Sequence, residues 1–273
     1  MNPQKLRLET QYYRTIPISQ MAYETQVVEL DPARTALVVL HCWDIGCEGG
    51  PAIDPNYYVG MGTLESFQEA DRIMRDLIRP ATDAAREAEI LVCHVEHPDI
   101  ARKYPQSRQA EDPPVPTETG PVYAPAPVIE GLVEEMVTRT HGKEYATRSP
   151  YAQMSRAALL EPQPHEPVVH QTNQFDRILR KHGIENLVYS GFAADMCILR
   201  APAATEAMSQ FGYRLFLLRD ATVGIEFPDF FEHRVSTRWA VRYFESRHGN
   251  TLFTAEFIRA CKNLARSRSG TQT

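Results

Sequence analysis

The sequence predicts an α/β domain built on a mostly parallel sheet, and three stretches carry that reading. Residues 35–43 (TALVVLHCW) form a continuous apolar run, the pattern of a strand buried on both faces. Residues 89–97 (EILVCHVEH) form a second, and between them Phe67, Ala70, Met74, Leu77, Ala81 and Ala84 recur at helical spacing. Strand, helix, strand makes a βαβ unit and hence a parallel pair. Residues 186–222 repeat the rhythm: an apolar strand, a turn at Gly191, a helix to about Phe211, a stop at Gly212 and a strand over 213–218.

The 273 residues are 43% hydrophobic and 23% charged, enough for one α/β domain with additions and a sizeable core. The net charge of −6 argues against a nucleic-acid partner, which calls for a basic surface. No apolar window of membrane-spanning length occurs, so no membrane partner is expected. The first residues lack the apolar core of a signal peptide. Five cysteines without disulfide-like spacing fit free thiols, so a cytoplasmic location is expected.

In chain order, residues 1–33 read as a polar, irregular N-terminal arm lying across the domain or a neighbouring subunit. Residues 34–273 form the domain. The first strand runs out at Asp44, followed by a Gly-rich stretch to about Gly62. The helix over 63–88 is divided or kinked by Pro80. Residues 99–162 read as an insertion covering one face of the domain or the subunit boundary, not a separate domain, because prolines crowd its centre from 113 to 127; a short helix is expected at 128–136. Then come a strand at 168–170, a helix at 173–182 stopped by Gly183, the 186–222 unit, a helix at 230–246, a strand at 251–253 and a last helix at 255–266.

Asp44 and Cys197 each follow an apolar strand at the same edge of the sheet, where open α/β folds keep their ligands. A carboxylate beside a thiol can take its proton, and the thiolate can attack an electrophilic carbon. Backbone N–H groups around residues 193–197 would face the resulting oxyanion. The plainer readings are a buried apolar cysteine and a strand-end aspartate that caps a helix. Trp43, Tyr58, His94 and His97 are pocket candidates. His41, Cys42, Cys47, His94 and His97 gather near two strand ends, but their spacing matches no zinc pattern, so no metal or cofactor is expected. Cys47 ranks below Cys197 as a nucleophile, and Cys93 and Cys261 read as core.

The segment GFAADMC, followed by a helix and then FGYRLFLLRDAT, resembles the isochorismatase-like cysteine hydrolase superfamily, and the match runs in order through most of residues 35–250. The resemblance implies a three-layer α/β/α fold with a central, mostly parallel six-stranded sheet, helices on both faces, and a homo-oligomer, dimer or tetramer. It implies an Asp, Lys, Cys triad acting on the C–N bond of a small amide, ureido or carbamoyl compound. By position, Cys197 would be the nucleophile and Asp44 the base. The Ala193 and Cys197 N–H groups would hold the oxyanion, beside a cis peptide between Phe192 and Ala193. The lysine position reads Gln171, with His170 and Lys143 as substitutes. Two functions follow: a cysteine-dependent amidohydrolase, or a catalytically degenerate relative kept as a small-molecule binding or scaffold protein.

Overall fold

Six strands run parallel, and their order brings the first apolar run to the middle of the sheet. The structure, a computed structural model, describes residues 5–54, 62–110 and 128–269. Tyr58 and the prolines at 113–127 lie outside the described residues. The strands are β1 (Leu6–Arg14), β2 (Ala22–Leu30), β3 (Thr35–Leu40), β4 (Leu91–Val95), β5 (Val168–Val169), β6 (Asn186–Gly191), β7 (Arg214–Leu218) and β8 (Gly249–Leu252). Their order is β2-β1-β8-β7-β6-β3-β4-β5. Strands β3 to β8 pair in parallel, whereas β1 pairs antiparallel with β2 and with β8.

The central strands explain the three layers. Every residue of β3 and of β6 is buried. Leu37 and Val39 point into one apolar cluster, with Phe67, Met74, Phe257 and Cys261 from the helices on that side. Val38 and Leu40 point into the other, with Phe175, Leu179, Ile198 and Phe244. Alternating Cβ directions along a strand produce this division, and it leaves both faces needing helical cover.

The sheet has eight strands, not six. The two extra strands come from residues expected to be an irregular arm. Leu6, Leu8 and Thr10 alternate inward, buried, with exposed Arg7 and Glu9. That period-2 pattern is a half-buried strand. Charges interrupt it and only its first half alternates, so it reads as polar in sequence. The hairpin is tied to the body by Gln11 donating to Glu245 at 2.8 Å and by Asn250 donating to Thr10 at 2.8 Å.

The helix expected from Cys197 to Phe211 is broken into Cys197–Arg200 and Thr205–Ser209. Pro202 has no N–H to continue the ladder, and Ala203 turns to φ 63°. The helix expected at 230–246 begins later, at Val235–Arg247, after Arg234 in left-handed conformation. Pro80 does mark a division: Leu64–Ile73 passes through a π-helical turn at Met74–Ile78 into Arg79–Glu87. Among the described residues no helix is long and apolar enough to cross a membrane.

Candidate active site

The site forms where β3 and β6 end together. Leu40 pairs with Gly191 across the two parallel strands, and Phe192 donates its N–H to the Leu40 carbonyl at 3.1 Å. Gly191 sits at φ 121°, and a Cβ there would stand 1.9 Å from the Leu40 oxygen, so no other residue fits this junction. The next peptide bond, Phe192–Ala193, is cis. The chain then reaches Cys197, the first residue of a four-residue helix. Ala194 donates to Val223 O at 2.9 Å, and Asp195 accepts from Ile225 N at 2.9 Å, which fastens this turn to the segment after β7.

A cavity of about 360 Å³ opens here. Phe192, Ala193, Met196 and Cys197 form one side. His41, Trp43 and Ile45, from the turn after β3, form the next. Phe67, Ala70 and Met74 contribute the inner face of the first long helix, and His97 and Ile225 close two corners. The insertion supplies the last wall through Tyr145, Tyr151 and Met154. Among the described residues no Lys, Arg, Asp or Glu lines this cavity. An enclosure so apolar favours uncharged ligands, because an unpaired charge would lose its hydration there.

Cys197 is half-buried, and burial pushes its thiol above the ordinary value. A hydrogen bond from the Ala193 backbone N–H to the sulfur pulls the other way, while Asp195 adds a smaller upward push. Cys47 is less suited to attack: burial, then a hydrogen bond with Asp71, push it to about 12. Cys93 and Cys261 are buried in the core, as is Cys42.

Of the residues singled out in the sequence, the cavity brings together Cys197, Phe192, Ala193, Trp43 and His97. Asp44 is not among its lining residues. The Asp44 carboxylate accepts the Ser155 N–H at 2.7 Å, and its own N–H donates to Ser155 O at 3.0 Å. Gln171 caps the helix Thr172–Lys181 in a capping box with Gln174. His170 is buried beside it, its N–H given to Gln174 Oε1 at 2.9 Å. Lys143 is exposed on the insertion. None of these three lines the cavity.

His94 also stands outside, in a buried ionic network. Arg156 is fully buried, donates to the Glu96 carboxylate, and reaches His94 Nδ1 at 2.5 Å and Leu160 O at 2.7 Å. His94 Nε2 lies 2.8 Å from Glu166 Oε2, and Arg86 grips the same carboxylate at 2.8 and 2.9 Å. Arginine only donates and a carboxylate only accepts, so His94 is neutral with its proton on Nε2. Burial, then Arg156, hold its pKa down to about 3. Burial works against Glu166, but the hydrogen bonds from Arg86 and His94 hold it down at about 2. Burial raises Glu96 to about 7, against Arg156 and the Trp43 indole N–H that donates to it at 3.0 Å. Among the described residues no group of three or more His, Cys, Asp or Glu could hold a metal ion.

Sequence reasoning did not place His41 or the insertion's Tyr145, Tyr151 and Met154 in the pocket. His41 had a signal, its position directly after the central strand. The other three had none, since an irregular segment shows no periodicity to say which side chains turn inward.

A mostly parallel α/β sheet with a cavity at the ends of its central strands defines the class of fold, and comparison with known proteins narrows it. No family model and no curated protein sequence matches the chain. A solved cysteine hydrolase from Pseudomonas syringae pv. phaseolicola matches with a TM-score of 0.52 at 16% identity, over 86% of this chain and 95% of that one. An isochorismatase from Pseudomonas putida matches with a TM-score of 0.46 at 17% identity, over 82% and 90%. The N-carbamoylsarcosine amidase of Thermoplasma acidophilum matches at 0.36 and 18%, over 74% and 92%. The chain has the fold of the isochorismatase-like cysteine hydrolases, at low sequence identity.

Proposed function

We propose that this protein is a cysteine-dependent hydrolase of a C–N bond, amide, ureido or carbamoyl, in a small uncharged molecule. Cys197 is the nucleophile; the sequence names Asp44 as its base, but the Asp44 carboxylate accepts the Ser155 N–H and is not among the cavity-lining residues. The observation that carries the reading is the Ala193 N–H on the Cys197 sulfur inside a cavity of small-molecule size. A donor so placed stabilises a thiolate, and after attack lies within reach of an oxyanion on the adjacent carbon. A cytoplasmic location and a homo-oligomeric state belong to the same proposal. The test is a panel of uncharged amide, ureido and carbamoyl compounds, read as ammonia or amine release, with trapping of a thioester on Cys197 by mass spectrometry. Release above that of Cys197→Ala from any class supports the reading; none from every class defeats it.

One observation favours a second reading. None of Gln171, His170 and Lys143 lines the cavity, so none of them brings a cation to Cys197. On this reading the protein binds an uncharged small molecule without turnover. Calorimetric binding of a panel compound, unchanged in Cys197→Ala and without product, would establish it.

A further inference from the structure

We propose that His41 receives the Cys197 thiol proton, making the reacting pair cysteine and histidine. The inference rests on the reading of Cys197 as nucleophile. His41 is the first residue past β3, as Phe192 is the first past β6, and the pairing of Leu40 with Gly191 sets them side by side on neighbouring strands. His41 and Cys197 line the same cavity, while Asp44 does not and gives its carboxylate to Ser155 N.

The two buried histidines of this region show why His41 is not a packing residue. His94 has both ring nitrogens bonded, to Arg156 and to Glu166. His41 is 9% exposed, and its Nδ1 is buried with no hydrogen-bond partner. Its ring is held by stacking on Trp43, centroids 4.9 Å apart. Buried polar groups are ordinarily satisfied, and one that is not calls for an explanation. The backbone adds a second anomaly, since His41 sits at φ 49°. Residues held in sparsely populated conformations gather at functional sites. A ring with unspent hydrogen-bonding capacity, lining the same cavity as a thiol, has that explanation in proton transfer.

The chemistry balances with water alone. Cys197 Sγ attacks the carbonyl carbon; the S–C bond forms and the thiol proton passes to His41. The imidazolium returns that proton to the leaving nitrogen as the C–N bond breaks, which leaves a thioester and an amine. Water then attacks the thioester, giving one proton to His41, and the expelled sulfur takes that proton back as the acid departs. His97 after β4 and Arg156 act on the His41 ring, Cys197, Tyr145 and Tyr151 line the same cavity, and Glu96 accepts the indole N–H of Trp43, on which the ring stacks. Burial, then His97 and Arg156, hold the imidazole pKa down to about 3, so the ring rests neutral but is a weak base; the imidazolium formed as sulfur attacks is disfavoured here and hands its proton on to the leaving nitrogen.

The test is acetylation by 4-nitrophenyl acetate, followed by 4-nitrophenolate release, with the modified residue located by peptide mass. In the wild type, Cys197 should be acetylated at a rate nearly flat from about pH 5 to about pH 8, because the base is already neutral. His41→Asn, chosen because asparagine tolerates the left-handed backbone, should react roughly a hundredfold more slowly near pH 6. Its rate should climb about tenfold per pH unit, since only preformed thiolate then reacts. A His41→Asn rate and profile equal to the wild type overturn the inference, as does a loss that appears in Asp44→Asn while His41→Asn stays active. If His41→Asn does not fold by circular dichroism, the wild-type profile decides alone: a tenfold rise per unit through this range overturns it. A wild type no faster than Cys197→Ala defeats the nucleophile reading itself and takes this inference with it.

Discussion

Two neighbouring regions at the end of the sheet solve opposite problems with the same residue type. Around His94, charge is buried and fully answered: two arginines, two glutamates and a histidine each find partners. Around His41, no Lys, Arg, Asp or Glu lines the cavity among the described residues, and the buried imidazole of His41 is left with a nitrogen unpaired. The first region is expensive to disturb because removing one member strands the others. The second is cheap to disturb and chemically open. Trp43 stands between them: its ring lines the cavity, while its N–H ends in the network at Glu96.

The sharpest way to break the comparison is Arg156→Met. It strands Glu96 and frees His94 Nδ1, and breaking a buried ion pair from one side costs about 3–5 kcal/mol. Urea denaturation should show that loss. His94→Asn should come next, at about 1–3 kcal/mol for the groups left unsatisfied, read in the same titration. Acid tests the network without mutation. Glu166 is depressed from 4.5 to about 2 and His94 from 6.5 to about 3. The unfolded chain therefore binds these protons first. Their stabilisation is complete above about pH 6.5, and is lost as pH falls toward about 2. Thermal midpoints should drop through that window, and less so in His94→Asn. The smallest effect belongs to His41→Asn, at about 0.5–1 kcal/mol, since stacking on Trp43 is lost but no hydrogen bond is removed. A loss as large as that of His94→Asn would erase the distinction between the two regions.

Much of the fold was legible because buried parallel strands have no alternative spelling. The strand TALVVL carries no charge and is buried throughout because helices cover both its faces. The hairpin was not legible, since Leu6, Leu8 and Thr10 are three inward residues among charges. At the site, GFAADMC marks its own turn, where Gly191 and Cys197 are tied to local geometry. His41 and Tyr151 meet Cys197 only through tertiary packing, and no spacing along the chain records it. Asp44 shows the limit from the other side. Being three residues farther along the turn than His41 moves a side chain from the cavity to the Ser155 backbone.

The bridge between Trp43 and Arg156 has a bearing on how this protein can diversify. It pins the end of the segment carrying Tyr145, Tyr151 and Met154, so that segment behaves like a panel hinged to a fixed post. The post is held by charge and the panel faces the cavity with side chains of adjustable size. New ligand ranges can thus be reached by exchanging panel residues one at a time, while the foundation beneath stays untouched.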